Sequence, residues 1–252
     1  MIMQKCAIVT GAARGIGLAT AKQFLEQGYV VSTVDRDEAE LEKALGELGE
    51  GAIGLPYDIS FPEKAKAMVA DTLAAFGRID VLVNNAGVAD FGPVEDTDFA
   101  RWRRVMETNL DGVFLCSQAA IPALRETKGA ILNIASISGL RASTLRVAYG
   151  TSKAAVIHLT QQQAAELGEY GIRANCVCPG PVRTKLAMAV HTQDIIDAYH
   201  DAIPLNRYGT EEELANVITF LCSDKASYVT GQIVAVDGGF QSTGVGLPAL
   251  RK

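Results

Sequence analysis

The chain has 252 residues, of which 48% are hydrophobic and 21% charged, and its formal net charge is -6. This length permits one large α/β domain or two small ones, and the composition excludes an intrinsically disordered chain. The negative net charge argues against nucleic acid or an anionic membrane as a partner, because both attract a clustered positive surface.

Cellular location and metal content follow from the apolar runs and the cysteines. No apolar run reaches the roughly 20 residues of a membrane-spanning helix, and residues 1–10 lack a signal-peptide pattern. We therefore expect a cytoplasmic protein. The five cysteines lie mostly inside apolar runs, which indicates structural thiols. Cys176 and Cys178 share one face of a predicted strand, but no further ligands complete a site, so we predict no metal.

The first predicted unit is a strand, a glycine-rich loop and a helix. The strand ends at Thr10, residues 11–17 follow as GAARGIG, and the helix runs to Gln27. Glycines let the backbone approach a pyrophosphate at the helix N-terminus, where free N–H groups favour negative charge. The spacing departs from the common dinucleotide fingerprint, so the loop requires support from other residues.

Asp35 supplies that support at the end of the second predicted strand, residues 29–34. An acid placed there can accept hydrogen bonds from an adenosine ribose. The alternative is that Asp35 caps the helix predicted over residues 37–48, for which Asp37 is the other candidate. The strand, loop, helix, strand and acid together predict a dinucleotide site.

The alternation of strands and helices then continues without a linker. Residues 52–57 predict a third strand that ends at Asp58, and residues 79–83 predict a very apolar fourth strand. Such apolar runs suit parallel strands that are covered on both faces. Asn85 and Gly87 follow the fourth strand at its carboxyl end, where open α/β sheets bind ligands.

A long helix is predicted over residues 97–124, with Asn109 and Gly112 in its interior. Both are poor helix formers, so we expect a local irregularity there. A fifth strand over residues 130–135 ends at Ser136.

Tyr149 and Lys153 lie four residues apart at the start of the next predicted helix, and so share one face. A free tyrosine has a pKa of about 10, whereas acid–base work near neutrality requires roughly 7 to 8. One cation at about 4 Å supplies about 4 kcal/mol at an effective dielectric of about 20, which is enough. The alternative is an amphipathic surface pair.

In combination these motifs resemble the short-chain dehydrogenase/reductase family over residues 5–240. The motifs are Thr10-Gly11-x3-Gly15-x-Gly17, Asp58, Asn84-Asn85-Ala86-Gly87, Asn109, Ser136, Tyr149-x3-Lys153 and Pro179-Gly180. The resemblance implies an α/β fold, a Rossmann-type doubly wound parallel sheet of about seven strands with helices on both faces. Residues 1–252 would form this single NAD(P)-binding domain, with a substrate-loop insertion at about 183–209.

The resemblance also implies an NAD(P)-dependent dehydrogenase or reductase that acts on CH–OH groups. Ser136 would hold the substrate oxygen, and Tyr149 would exchange the hydroxyl proton while hydride passes between substrate carbon and nicotinamide. Lys153 would lower the pKa of Tyr149 and hold the nicotinamide ribose. The Asn109 carbonyl would position a relay water. The alternatives are a strand-end cap for Ser136 and a bend residue for Asn109.

The implied cofactor contacts extend along the whole dinucleotide. They are Gly11, Arg14, Gly15, Ile16, Gly17, Asp35, Asp58, Ile59, Asn85, Ala86, Gly87, Tyr149, Lys153, Pro179, Gly180, Val182 and Thr184. Asp35 would repel the 2'-phosphate of NADP, so we expect NAD. Arg14 and Arg36 could each partly neutralise such a phosphate, which leaves a use of NADP open.

The substrate is expected to meet a polar rim. The side chains of the insertion and of the loop before Tyr149 include Arg141, Arg146, Arg183, Lys185, Met188, His191, Tyr199 and His200. This rim favours a small polar secondary alcohol, such as a polyol, a sugar or a hydroxy acid. The expected substrate contacts are Ser136, Arg146 and Tyr149, and each arginine has the alternative of being a surface residue.

Two rival functions stay open. One is an NADPH-dependent reductase of 3-oxoacyl groups on a carrier protein, against which Asp35 argues. The other is a non-catalytic NAD-binding module, against which the complete catalytic set argues. The resemblance further implies a homotetramer, with the last helix and strand at subunit contacts. The tail, residues 241–252, is either a frayed end or reaches a neighbouring subunit's site.

Overall fold

The structure is a computed structural model that describes residues 4–184, 188 and 191–243. The strands are β1 (Cys6–Thr10), β2 (Val30–Val34), β3 (Ala52–Leu55), β4 (Val81–Asn84), β5 (Ala130–Ile134), β6 (Arg173–Pro179) and β7 (Ile233–Val236). All are parallel neighbours in one sheet of order β3-β2-β1-β4-β5-β6-β7. The strand order reverses between β1 and β4, as in a doubly wound fold.

Helices connect the successive strands. They are α1 (Gly15–Glu26), α2 (Glu38–Leu48), α3 (Pro62–Phe76), α4 (Phe99–Met106), α5 (Gly112–Thr127), α6 (Ile137–Leu140), α7 (Val147–Leu167), α8 (Gln193–Ala202) and α9 (Glu211–Cys222). Within the described part of the chain, no helix has both the length and the apolar character required to cross a membrane.

The two faces of the sheet are buried in two separate cores, because successive strand residues point to opposite faces. On β1, Ala7 and Val9 pack with Phe24 of α1 and Ile218 of α9. Ile8 packs on the other face, in a core with residues of α3, α5 and α7. The predicted fold, a single Rossmann-type domain with helices on both faces of a seven-stranded parallel sheet, is confirmed.

The long helix predicted over residues 97–124 is interrupted. α4 and α5 are joined by a π-helical turn, Glu107–Asp111, which contains Asn109. Such turns appear inside α-helices and are frequent at functional sites. The predicted irregularity is confirmed, and it turns the Asn109 side chain towards the carboxyl edge of the sheet, where it contacts Val88 in the loop after β4.

Candidate active site

The glycine-rich loop between β1 and α1 lies directly against the loop that follows β4. Gly11 and Gly15 have φ angles of +64° and +61°, a region that other residues rarely adopt. A Cβ atom on Gly17 would lie 2.2 Å from the Gly11 carbonyl oxygen, so this position also requires glycine. The N-cap residue Arg14 gives α1 no side-chain cap. The loop therefore has the form of an anion-binding helix N-terminus.

Asn85 fastens this loop to the end of β4. Its side-chain amide donates hydrogen bonds to the carbonyl oxygens of Thr10 and Gly11, at 2.9 and 3.0 Å. The backbone N–H groups of Asn85 and Ala86 both donate to the Thr10 hydroxyl at 3.0 Å. The side chain of Asn85 is thus used to position the loop. Thr10 was not among the predicted site residues, although a hydroxyl at a strand end beside a glycine loop was a readable signal.

Asp35 and Asp37 have different roles at the end of β2. Asp35 accepts hydrogen bonds from the backbone N–H groups of Ala13, at 3.2 Å, and Asp37, at 3.1 Å. Asp37 is the N-cap of α2 and accepts from the N–H of Glu40 at 3.2 Å. The capping alternative therefore applies to Asp37, and Asp35 lies beside the glycine loop, where the sequence predicts the adenosine ribose.

Both arginines that could neutralise a 2'-phosphate are already paired with carboxylates. Arg14 forms an ion pair with Asp37. The amide of Glu40 and the guanidinium of Arg14 hold the pKa of Asp37 below its usual value. Arg36 pairs with Asp58 at 3.5 Å between Nη1 and Oδ2. The ends of β2 and β3 therefore carry three carboxylates, those of Asp35, Asp37 and Asp58. The guanidinium groups of Arg14 and Arg36 are already paired with two of them.

Asp58 and Ile59 follow β3 and point in different directions. The Asp58 carboxylate accepts hydrogen bonds from the N–H and hydroxyl of Ser60, at 3.0 and 2.7 Å. The Ile59 side chain is buried, and a Cβ atom on Gly112 would lie 2.5 Å from its Cδ1. Ile16 of α1 likewise packs against the core. Both isoleucine side chains thus pack in the core, so their predicted cofactor contacts would have to be made by backbone atoms.

Tyr149 and Lys153 lie on the first turns of α7, as the spacing predicted. The Lys153 ammonium is buried, lies 5.8 Å from the centroid of the Tyr149 ring and donates to the Ile134 carbonyl oxygen at 2.8 Å. Burial lowers the pKa of Lys153 to about 8. A Cβ atom on Gly87 would lie 3.4 Å from this ammonium, so the loop after β4 passes beside it.

The Ser136 hydroxyl and Arg146 act on the pKa of the Tyr149 phenol. Burial raises the pKa of Tyr149 above its usual value, while a hydrogen bond with the Ser136 hydroxyl and the charge of Arg146 lower it. The expected lowering by Lys153 is therefore not found in the protein alone. The physical reason is that burial lowers the pKa of Lys153 to about 8, so the lysine loses its charge before Tyr149 titrates.

Ser136 reaches Tyr149 because α6 and α7 approach each other closely. Ser136 is the N-cap of α6 and accepts from the Ser138 N–H at 3.1 Å, so it also has the capping role. A Cβ atom on Gly139 would lie 2.7 Å from the Lys153 carbonyl carbon. A Cβ atom on Gly150 would lie 3.1 Å from the backbone carbonyl oxygen of Ser138. Glycine at both positions permits the contact.

The Asn109 side chain forms hydrogen bonds both with the loop after β4 and with α7. Its side-chain oxygen accepts from the Val88 N–H at 2.8 Å, and its amide donates to the Val88 carbonyl at 2.9 Å. The amide also donates to the Ser152 hydroxyl at 3.1 Å. Asn109 is fully buried. The structure thus brings Asn109, Ser136, Tyr149 and Lys153 to the carboxyl edge of the sheet.

The segment after β6 follows the same edge. A Cβ atom on Gly180 would lie 2.5 Å from the Cβ of Asp237, which explains the glycine after Pro179. Val182 forms an isolated bridge with Gly209, and the Thr184 N–H donates to the Val182 carbonyl at 2.8 Å. The predicted rim residue Lys185 lies outside the described residues.

The rest of the insertion is held by an aromatic cluster of His191, Tyr199, His200, Tyr208 and Phe240. His191 Nδ1 lies 3.0 Å from the Tyr208 hydroxyl, and its ring stacks on Tyr199 at 5.5 Å. Tyr199 in turn packs edge-on against Phe240 at 5.7 Å. Burial and the charge of Arg146 lower the pKa of His191. The rim is therefore more aromatic than the sequence predicted.

Cys176 and Cys178 are buried side by side on β6, with their sulfur atoms 4.0 Å apart. In the ranges that the structure describes, no group of three or more His, Cys, Asp or Glu side chains could hold a metal ion.

Comparison with known proteins identifies the family. A family model described as Enoyl-(Acyl carrier protein) reductase matches residues 11–241. The chain is 39% identical over 236 residues to a meso-2,3-butanediol dehydrogenase of Serratia marcescens, covering 93% of this chain and 94% of that protein. It is 38% identical over 243 residues to the 3-oxoacyl-[acyl-carrier-protein] reductase FabG of Staphylococcus epidermidis, with coverages of 94% and 99%.

A solved structure extends the match to three dimensions. The crystal structure of 3-ketoacyl-(acyl-carrier-protein) reductase from Brucella melitensis, complexed with NADH, superposes with a TM-score of 0.90 at 33% identity. The superposition covers 96% of this chain and 100% of that one. The chain therefore belongs to the short-chain dehydrogenase/reductase family of oxidoreductases.

Proposed function

We propose that the protein is an NAD-dependent oxidoreductase that interconverts a small polar secondary alcohol and its ketone. The observation that carries this proposal is the proximity of the Ser136 hydroxyl, the Tyr149 phenol and the buried Lys153 ammonium, beside the loop that follows β4. A proton exchanger, a hydrogen-bond donor and a titratable cation are the groups that carbonyl reduction requires.

The residues of the chain would divide the chemistry as follows. The Ser136 hydroxyl donates a hydrogen bond to the substrate oxygen and orients it. Tyr149 gives a proton to that oxygen during reduction and takes one from the alcohol during oxidation. Lys153, with a pKa of about 8, exchanges protons near neutral pH and can restore the proton of Tyr149. The nicotinamide, when bound, supplies or accepts the hydride.

The chain also fits a dinucleotide. Gly11 to Gly17 would hold the pyrophosphate, because close backbone approach and the N-terminus of α1 suit an anion. Asp35 would hold the adenosine ribose, and Asp58 with the backbone of Ile59 would border the adenine. Ala86 and Gly87 would line the middle, Lys153 would bind the nicotinamide ribose, and residues 179–184 would border the nicotinamide. The solved Brucella melitensis relative is complexed with NADH, which supports a nicotinamide dinucleotide as the cofactor.

NAD is proposed over NADP because of the charges at the ends of β2 and β3. A 2'-phosphate carries a charge of about -2 and would lie next to Asp35. Arg14 and Arg36 could compensate it only by giving up their ion pairs with Asp37 and Asp58.

The proposal is tested by a screen of secondary alcohols and ketones with NAD and NADH, in which cofactor absorbance is followed. We expect turnover of small polar secondary alcohols, as the name of the Serratia marcescens relative suggests. Activity confined to steroids or acyl thioesters would contradict the substrate class. Tight NAD binding without turnover of any alcohol or ketone would favour the non-catalytic module.

A second candidate is an NADPH-dependent 3-oxoacyl-(carrier protein) reductase. The names of the Staphylococcus epidermidis and Brucella melitensis relatives favour its substrate class, although the latter is complexed with NADH, and the catalytic set serves it equally well. The carboxylates around Asp35 argue against NADPH as the cofactor. Activity with a 3-oxoacyl carrier protein and NADPH that exceeds all activity with NAD would establish this alternative.

We further propose a homotetramer in the cytoplasm. Large apolar side chains are exposed on the surface at Phe99 and Phe114 of α4 and α5, and at Phe220 of α9. Such groups are typical of subunit contacts. The five cysteines of the chain are free and buried, as in a reducing compartment. Light scattering on the purified protein tests the assembly, and a monomeric mass at micromolar concentration would contradict it.

A further inference from the structure

Arg146 is a cation without a carboxylate partner among the described residues, and it lies at the catalytic set. Seven arginines of the described chain form ion pairs within 4.0 Å, namely Arg14, Arg36, Arg78, Arg101, Arg103, Arg104 and Arg207. Arg125 and Arg141, like Arg146, lie over aromatic rings, those of Tyr170 and Phe240, and Arg173 donates to backbone carbonyl groups. The guanidinium carbon of Arg146 instead lies 4.8 Å from the centroid of the Phe91 ring and 5.9 Å from that of Tyr149.

The charge of Arg146 acts on two side chains, those of Tyr149 and His191. It opposes the effect of burial on the pKa of Tyr149 and adds to the effect of burial on the pKa of His191. Tyr149 belongs to the catalytic set, and His191 belongs to the aromatic cluster of the insertion. A substrate bound against Tyr149 would therefore lie in the positive field of Arg146.

The backbone around Arg146 is held in place by strained and bridged residues. Leu145 has a φ angle of +61°, a left-handed conformation that a leucine rarely adopts. Its carbonyl accepts from the Gly92 N–H at 3.0 Å, and Gly92 forms a β-bridge with Arg146. Backbone strain of this kind is concentrated at functional sites.

The Phe91 side of the contact is fixed as well. The Arg101 guanidinium donates to the Phe91 carbonyl oxygen at 2.9 Å and binds the Asp90 carboxylate through Nε at 3.0 Å. Arg104 donates to the same carboxylate at 2.5 Å. The loop that carries Phe91 is thus anchored to α4, and Phe91 offers Arg146 a ring face that cannot neutralise its charge.

We propose that Arg146 binds an anionic group of the substrate, so that the preferred substrates are short hydroxy acids and the matching keto acids. The inference rests on the proposed function and narrows its substrate class from polar alcohols in general. A planar guanidinium binds a carboxylate through two parallel hydrogen bonds. Because Arg146 lies so close to Tyr149, the carboxylate must be only a few bonds from the reacting carbon.

Matched substrates test the inference. With NAD as cofactor, kcat/KM is measured for 3-hydroxybutanoate and for its neutral methyl ester. We expect the wild-type protein to favour the acid by about 10-fold or more, since the ester leaves the guanidinium without its partner. Arg146→Gln should abolish this preference by lowering kcat/KM for the acid alone. Arg146→Lys should restore part of it, because the charge returns without the two-pronged geometry.

Arg125→Gln is the control variant. The Arg125 guanidinium also lies over an aromatic ring, that of Tyr170 at 3.5 Å, but at the C-terminal end of α5 and away from the catalytic edge. It should leave both kcat/KM values unchanged. Equal use of acid and ester by the wild-type protein, or an equal loss of both in Arg146→Gln, would overturn the inference.

A binding measurement separates this inference from the proposed function. Butanoate, which cannot react, should raise the melting temperature of the protein with bound NADH, and butanamide should not. Arg146→Gln should remove the butanoate effect. If no alcohol is turned over, the proposed function fails, and the butanoate result still decides the role of Arg146. If neutral alcohols are turned over and butanoate has no effect, only the inference about Arg146 fails.

Discussion

The Lys153 ammonium lies 5.8 Å from the centroid of the Tyr149 ring and donates its hydrogen bond to the Ile134 carbonyl at the end of β5. The lysine is therefore anchored to the sheet, while the Ser136 hydroxyl acts on the pKa of the phenol. In the proposed mechanism Tyr149 transfers the proton to the substrate, and a different residue, Lys153, restores the proton of Tyr149.

The first prediction concerns the Tyr149 hydroxyl. Tyr149→Phe keeps the ring against Lys153 and Arg146 but removes the proton exchanger. We expect kcat to fall by about 10²- to 10⁴-fold, the usual contribution of general acid–base catalysis. NADH affinity, measured by fluorescence titration, should stay within about 3-fold of the wild-type value because the removed group makes no ion pair. Retention of most of the turnover would remove Tyr149 from its proposed role.

The second prediction follows from the buried charge of Lys153. Its pKa is about 8 in the folded protein, against an ordinary value of 10.5 for a free lysine side chain. Between these two values the unfolded chain binds the proton that the folded chain has lost, so the stability of the folded state rises with pH. The gain begins near pH 8 and is complete above about pH 10.5.

Lys153→Met removes this titration. Relative to the variant, the wild-type free energy of unfolding should increase by up to about 3 kcal/mol between pH 7.5 and 10.5, as 1.36 kcal/mol per pKa unit implies. Urea denaturation across this range measures the difference. The comparison cancels the titration of residues that both proteins share. Parallel pH profiles for the two proteins would show that the ammonium is not desolvated as the structure indicates.

Several parts of the site follow from the sequence because they depend on local pattern. The apolar runs predict which residues end each strand, so Asp35, Asn85 and Ser136 are correctly placed at one edge of the sheet. The poor helix formers Asn109 and Gly112 predict the interruption between α4 and α5. These features are set by residues that are near one another in the chain.

The rest depends on contacts between distant segments. The sequence could not show that Asn85 binds the Thr10 carbonyl, 75 residues away, or that Gly139 allows α6 to approach α7. It left Asp35 and Asp37 as equal candidates for the helix cap, because the choice depends on side-chain direction. The burial of Lys153 has the same origin. The end of β5 at Ile134, the loop at Gly87 and α6 at Gly139 all lie against this lysine.

The third prediction concerns the choice of cofactor. Wild-type protein should show kcat/KM for NAD at least about 10-fold above that for NADP, because the 2'-phosphate meets Asp35 without a free cation. Asp35→Ser should lower the ratio, chiefly by raising kcat/KM for NADP. Asp224→Asn is the control, since Asp224 is an exposed acid paired with Lys5. A wild-type preference for NADP would show that Arg14 or Arg36 leaves its ion pair to bind the phosphate.

The last prediction uses glycines to test how the contact between α6 and α7 sets the catalytic geometry. At Gly139 an added Cβ would lie 2.7 Å from the Lys153 carbonyl carbon, so backbone must move. At Gly150 the added Cβ would lie 3.1 Å from the backbone carbonyl oxygen of Ser138. A shift of this carbonyl group by a few tenths of an ångström suffices. Gly139→Ala should therefore destabilise the fold by roughly 1 to 3 kcal/mol, as overpacking does, and Gly150→Ala should cost less.

Both substitutions should also lower kcat, because moving α6 away from α7 moves the Ser136 hydroxyl away from the Tyr149 phenol. Gly46→Ala is the matched control: it lies inside α2, and an added Cβ would meet nothing within 4 Å. It should raise stability by about 0.5 to 1 kcal/mol through helix propensity and leave kcat unchanged. If Gly139→Ala is destabilised but keeps wild-type kcat, the approach of the two helices supports the fold without setting the distance between Ser136 and Tyr149.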